Sequence, residues 1–299
     1  MYNKLLLKSI DFNKNNSSID LQTIIGIMEG CYKNIGFSTF GYIFDNSNSY
    51  KSINQYNSAN CIGMSIWVQQ RLQKLNIISY LIPASIPKIY KMPKYLNISH
   101  VALFVPLKDN SYIIDCAFYF LSPIIVNLKM NKCISNIYSK KIYDVENHSD
   151  ILEYNSISTI NCELNKTNTD LKLNEYQIIP KNIYYCKCNY NNNLNDTWNY
   201  YLTNVINPDT AITSFFIKIK KNPFICCHKI DNNGIPICDY YIKFHDENIS
   251  LKKNGITNIY EPNQFLNIIS KDDDLYKKLE YHFSDNFTRF INTFYKNIN

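Results

Sequence analysis

Two stretches, Ser99-His100-Val101-Ala102-Leu103-Phe104-Val105 and Tyr112-Ile113-Ile114-Asp115-Cys116-Ala117-Phe118, decide how this sequence is read. Both are short runs of β-branched and aromatic residues, and between them lie Pro106 and the polar run Lys108-Asp109-Asn110. That pattern predicts two antiparallel strands joined by a loop. Pro106 ends the first strand, because it has no amide hydrogen to give to a ladder. Each strand also carries one residue that an apolar ladder does not need: His100 at the head of the first and Asp115 near the end of the second. If Val105 pairs with Asn110, His100 falls opposite Asp115, and side chains opposite one another share a face. A tight turn at Asp109-Asn110 would instead displace the two along the strands. An imidazole–carboxylate pair therefore calls for the wider loop.

Working outward, the segment upstream supplies a third group. Met64, Val68, Leu72 and Leu75 recur at helical spacing behind Cys61, with Gln69, Gln70, Gln73 and Lys74 on the opposite, wet face. Cys61 thus sits at a helix N-terminus, where unpaired amides and the macrodipole favour a negative sulfur. A cysteine nucleophile needs a base beside it and a group that orients the base. In chain order Cys61, His100 and Asp115 are candidates for those roles. Each also has a plain structural reading, as a buried small hydrophobe, a satisfied strand histidine and a local acceptor of backbone bonds. Taken together, with fitting local structure at all three, they favour chemistry.

An earlier amphipathic helix begins near Ser18 and Asp20, with Leu21, Ile24, Ile25, Met28 and Tyr32 at helical spacing. Asp45 to Asn60 is rich in Asn and Ser and reads as a loop, as do Asn165 to Asn174 and Asn189 to Asn195. Further strands are expected over Ile77 to Ala84, Ile183 to Cys188, Phe215 to Lys220, Pro223 to Ile230 and Cys238 to Phe244, the last two joined at Asn232-Asn233-Gly234. The chain ends in helix, with Pro262 suited to a first turn and a long aromatic-rich segment from Leu275 to Tyr295.

Composition narrows the class. With 45% hydrophobic and 19% charged residues in 299, and only 7 glycines, the chain is globular and neither disordered nor collagen-like. The net charge of +6 is nearly all lysine, since Arg71 and Arg289 are the only arginines, which argues against nucleic-acid recognition by guanidinium forks. Apolar runs such as Phe118 to Val126 stop short of the roughly 18 residues that span a bilayer, so no membrane association is expected. Ten cysteines without a secretory leader point to a reducing, cytoplasmic setting and mostly buried thiols. Cys186-Lys187-Cys188 and Cys226-Cys227-His228 lack the two-residue gaps of structural zinc sites, and no metal site is read from them. His148, His228, His245 and His282 have no evident sequence partner. No Gly-rich phosphate loop is present.

The Cys-headed helix, the segment His100-Val-Ala-Leu-Phe-Val and the segment Tyr112-Ile-Ile-Asp-Cys-Ala-Phe118 resemble the arylamine N-acetyltransferases, members of the wider transglutaminase and papain-like group of Cys-His-Asp enzymes. Leu21 to Phe40 is similar to that family's first helices. Asn199-Tyr200-Tyr201-Leu202-Thr203 with Thr213-Ser214-Phe215-Phe216 is similar to its entry into a third domain. The resemblance implies an α+β fold with a papain-like or transglutaminase-like core: a helical part over 1–84, a central antiparallel β-barrel part over 85–195 and a C-terminal α/β part over 196–299. It implies acetyl coenzyme A as acyl donor, an arylamine-type small-molecule amine as acceptor and Cys61, His100 and Asp115 as catalytic residues. Two departures stand out. Asn57-Ser58-Ala59-Asn60 precedes Cys61 where the family has an arginine and two glycines, and Ala117-Phe118-Tyr119 replaces a Gly-Phe-Gly. A transglutaminase-like amidase or cysteine peptidase with the same three residues, and a catalytically silent binding module, are the alternatives.

Overall fold

The computed structural model describes residues 6–10, 19–39, 41–42, 48–87, 98–134, 137–140, 157–174, 177–179, 181–191, 193, 196–202, 204–206, 224–232, 236–283, 291–292 and 295. The first part of the chain forms β1 (Leu6–Ser9), α1 (Leu21–Asn34), β2 (Gly36–Ser38), α2 (Ser49–Tyr56), β3 (Ser58–Ala59) and α3 (Cys61–Lys74). The middle is strand after strand: β4 (Tyr80–Ala84), β5 (His100–Val105), β6 (Ser111–Ile114), β7 (Ile124–Asn127), β8 (Lys132–Ile134), β9 (Ile137–Lys140), β10 (Ile157–Lys166), β11 (Leu171–Asn174), β12 (Gln177–Ile179), β13 (Tyr184–Tyr190), β14 (Thr197–Tyr201) and β15 (Asn204–Ile206). Then come β16 (Phe224–Ile230), β17 (Pro236–Phe244), β18 (Ile249–Lys253), β19 (Ile256–Tyr260), α4 (Pro262–Ile269) and α5 (Asp273–Phe283). The readings made over His148, Thr213 to Lys220, the turn at Asn233-Gly234 and most of the aromatic-rich segment beyond Phe283 lie outside the described residues.

Nine strands make one antiparallel sheet in the order β8-β7-β6-β5-β4-β14-β13-β10-β9. It curls until β8 lies against β10, giving the barrel of the expected α+β fold. A second sheet runs β19-β18-β17-β16-β2-β3, and its last pair is parallel. The main core joins α1 and α3 to the barrel interior, and a smaller one lies between the second sheet and α4 and α5. No described helix is long and apolar enough to cross a membrane.

Local chemistry accounts for the helices. Asp20 caps α1 by accepting the Thr23 amide at 2.8 Å, and Ile24, Met28, Cys31 and Tyr32 face inward. The loop expected over Asp45 to Asn60 contains a helix instead. Asn48 accepts the Lys51 amide at 2.8 Å, and Ile53 and Tyr56 bury one turn apart, so the polar run is a cap followed by a short amphipathic helix. In α3 burial is complete from Cys61 through Val68, well beyond the single stripe read from sequence, because the barrel and α1 enclose its first two turns. The Asn-rich loop expected from Asn165 to Asn174 likewise holds β11. Strands β18 and β19 were not read from sequence. They meet at Asn254-Gly255, both at positive φ (53° and 80°), a dipeptide that makes the tight hairpin turn.

The register of β5 and β6 differs from the expected one. Val105 pairs with Tyr112, and Leu103 with Ile114. The connecting loop is thus longer by one residue pair, and Asp115 lies just past the last paired residue instead of directly opposite His100. The side-chain period of two is preserved by a two-residue shift, so both still point to one face as diagonal neighbours.

Candidate functional site

Three elements bring the site together. Helix α3 packs on β5, which sets Cys61 over the head of that strand. Here Gly63 has a definite purpose: a Cβ at this position would meet the Ala59 Cβ at 2.2 Å, so the close return of the chain from β3 into α3 requires glycine. Asn60 is the N-cap. Its Oδ1 accepts from the Ile62 amide at 2.9 Å, the Gly63 amide at 3.3 Å and the Tyr42 hydroxyl at 3.0 Å, and the Tyr42 hydroxyl also bonds Ser49 at 2.9 Å. These three donors fix the amide's orientation. Its Nδ2, fully buried, has no hydrogen-bond partner.

His100 and Asp115 are both buried, and His100 Nε2 donates to Asp115 Oδ2 at 2.6 Å. The Cys61 thiol is near enough for its charge to act on the ring. With Nε2 engaged by the carboxylate, Nδ1 is the nitrogen left for the sulfur. Phe118 packs on the ring at 4.5 Å between centroids. Burial alone would depress the imidazole pKa. The charges of Asp115 and Cys61, with the hydrogen bond to Asp115, outweigh it and raise the pKa from 6.5 to about 10.

Asp115 is held from all sides. Its Oδ1 accepts the amides of Ala117 at 3.1 Å and Phe118 at 3.2 Å, a local turn that follows from the strand ending at Ile114. Its Oδ2 accepts a second bond, from the buried Tyr200 hydroxyl at 2.7 Å. Sequence reading missed Tyr200. The alternation of burial along β14, with Trp198 and Tyr200 inward, is the signal that places it inside the barrel.

Tyr119 stands where the resemblance calls for a glycine and keeps the glycine-like backbone, with φ 52°. Left-handed geometry strains an aromatic residue by about 1–2 kcal/mol. The buried ring packs against Tyr32 at 5.4 Å, a contact that offsets this. On the other flank α5 grips the turn before the nucleophile helix. His282 Nδ1 donates to the Asn57 carbonyl at 3.0 Å, and Asn57 Nδ2 donates to the Tyr281 carbonyl at 2.9 Å. Burial lowers the His282 pKa to about 4, so it is a neutral structural donor. Cys226 and Cys227 belong to β16 in the second sheet, whereas Cys186 and Cys188 belong to β13 in the barrel. The two motifs weighed together for zinc are therefore on different sheets.

No family model and no curated protein sequence matches the chain. Solved structures do match its fold. It is similar to arylamine N-acetyltransferase C from Bacillus anthracis, with a TM-score of 0.51 and 12% identity over 88% of this chain and 95% of that one. It is similar to an arylamine N-acetyltransferase from Bacillus cereus, described with a Cys-His-Glu catalytic triad, at 0.50 and 13% over 88% and 98%. The enzyme from Mycobacterium marinum matches at 0.50 and 10% over 96% of each chain. At such identities the likeness is one of fold, and it covers most of the molecule.

Proposed function

We propose that this chain, which has the fold of the arylamine N-acetyltransferases, is a thiol-dependent acyltransferase that moves an acetyl group from acetyl coenzyme A to an arylamine-type amine through an acyl-Cys61 intermediate. One observation carries the reading: the buried imidazole of His100 is hydrogen-bonded to the Asp115 carboxylate at 2.6 Å and feels the charge of Cys61 at the head of the adjoining helix.

The chemistry follows from that order. His100 takes the Cys61 proton, and Asp115 and Tyr200 hold the ring and the charge it acquires. The thiolate attacks the thioester carbonyl, a carbon–sulfur bond to Cys61 forms, and the coenzyme A thiolate leaves and takes the proton from His100. The amine then attacks the acyl-enzyme. His100 accepts the amine's proton and returns it to Cys61 as the carbon–sulfur bond breaks. The backbone amide of Cys61 supplies a donor to the oxyanion.

A specific feature keeps the amidase or peptidase reading as the alternative. Ala59 and Tyr119 occupy positions where the resemblance expects glycines beside the acyl donor, and both are buried. Incubation with acetyl coenzyme A, followed by intact mass and peptide mapping, separates the two. One acetyl group on Cys61 is the expected result. No adduct, together with ammonia released from a glutamine substrate, would replace the first reading by the second. Selective alkylation of Cys61 by iodoacetamide below about pH 7 is expected under either, and uniform slow labelling of the thiols would leave a silent binding module.

A further inference from the structure

The barrel contains a second group of cysteines that the proposed chemistry does not use. Strand β13 alternates so that Cys186 and Cys188 point inward together. Cys162 on β10 is paired directly with Cys188 in the ladder. The Sγ atoms of Cys162 and Cys188 are 3.2 Å apart, those of Cys186 and Cys188 are 3.7 Å apart, and all three lie within 4.8 Å of one another. Cys133 on β8 reaches across to Cys186, sulfur to sulfur, at 3.3 Å. Cys162, Cys186 and Cys188 are buried, and Cys133 is partly exposed. Among the described residues no other group of cysteine, histidine and carboxylate side chains converges in this way.

We propose that Cys162, Cys186 and Cys188, with Cys133 as the fourth thiolate, bind one Zn²⁺ ion that fastens the barrel where β8 closes against β10.

Three arguments support the site. The first is size. Four sulfurs at about 2.3 Å from a zinc ion are about 3.8 Å from one another in a tetrahedron; the spacings among Cys162, Cys186 and Cys188 bracket that edge, and Cys133 adjoins the trio through Cys186. The second is donor chemistry. An all-sulfur set with no carboxylate or imidazole selects a thiophilic ion over magnesium or calcium. The third is position. Strands β8 and β10 touch but share no hydrogen-bonded ladder, so a tie from β8 to β10 and β13 joins elements that the backbone leaves unjoined. Binding exchanges protons for metal: zinc–sulfur bonds form in place of zinc–water bonds, the thiol protons pass to solvent, and no electron moves.

Two disulfides, Cys162–Cys188 and Cys133–Cys186, are the competing use of the same four atoms. They leave the 3.7 Å approach of Cys186 to Cys188 without a purpose, because residues two apart on one strand face do not bond to each other. The zinc proposal is independent of whether Cys61 carries an acyl group.

The test uses the full chain, purified without chelator and reconstituted with Zn²⁺ alone. Elemental analysis should find about one zinc per chain, and replacement by Co²⁺ should give sulfur-to-cobalt charge-transfer absorption with the visible bands of a tetrahedral site. Cys186→Ser and Cys188→Ser should lose at least about tenfold in zinc affinity, while Cys226→Ser in the other sheet keeps it. If the barrel variants fail to fold, the cobalt spectrum of the unaltered chain still decides. A folded chain that takes up no zinc or cobalt, that takes up copper or iron in preference, or whose intact mass shows hydrogens lost to disulfides, overturns the proposal.

Discussion

Cys61 and Cys186 are both buried thiols in one core, exposed by 5% and 0%, yet their surroundings differ in kind. Cys61 begins a helix near an imidazole that is backed by a carboxylate, whereas Cys186 sits mid-strand in a group of sulfurs. The first setting supplies a proton acceptor and a charge partner. The second supplies only further soft ligands. Burial therefore does not decide what a cysteine does; the neighbour does. Three measurements sharpen or break this contrast.

The largest effect is expected from Asp115→Asn. The amide can still occupy the turn, but it cannot stabilise an imidazolium, so kcat for acyl transfer should fall by about a thousandfold. Cys226→Ser, remote from both clusters, should leave it unchanged. A rate that survives Asp115→Asn would mean that the carboxylate serves packing, and the two thiol environments would lose their chemical distinction.

The titration of His100 is the next test. Its folded pKa of about 10 exceeds the ordinary 6.5, so the charged ring contributes stability that is fully present below about pH 6.5 and is lost as pH rises through about 10. The magnitude is on the order of a few kcal/mol. Nuclear magnetic resonance of the ring should show Cys61→Ala lowering this pKa by more than about one unit, since the sulfur is one of its two charge partners. Cys186→Ser should not move it. Equal shifts in both variants would show that the clusters share one electrostatic environment.

These contrasts also mark how far the residues could be read in one dimension. The helix behind Cys61 and strand β5 were legible because apolar periodicity and Pro106 act locally. The pairing of β5 with β6 was legible only in parity: Val105 meets Tyr112, not Asn110, because a loop's length is set by turn geometry that the composition of residues 106–111 does not specify. Helix α2 was hidden because asparagine and serine signal loops and helix caps alike, as at Asn48. Of the four-thiol group only Cys186 and Cys188, two apart on an expected strand, were legible, and not their partners. Cys133, Cys162, Cys186 and Cys188 meet through the register of β10 on β13 and the closure of the barrel, both long-range facts.

Tyr200 belongs to both regions and gives the finest test. It lies opposite Cys186 in the β13–β14 ladder, while its hydroxyl donates to Asp115 at 2.7 Å. One strand residue thus links the floor of the proposed metal site to the group that orients His100. Tyr200→Phe removes a single hydrogen bond without changing the shape of the core, and Asp115 retains three others. A lost bond to a charged group of about 1.5 kcal/mol corresponds to about a tenfold fall in kcat, with KM unchanged because no substrate contact is removed. Zinc content should stay the same, since the hydroxyl gives its hydrogen bond to the carboxylate and not to a sulfur. If Tyr200→Phe instead loses metal and keeps its rate, Tyr200 is a wall of the thiol cluster and Asp115 needs only its backbone donors and His100.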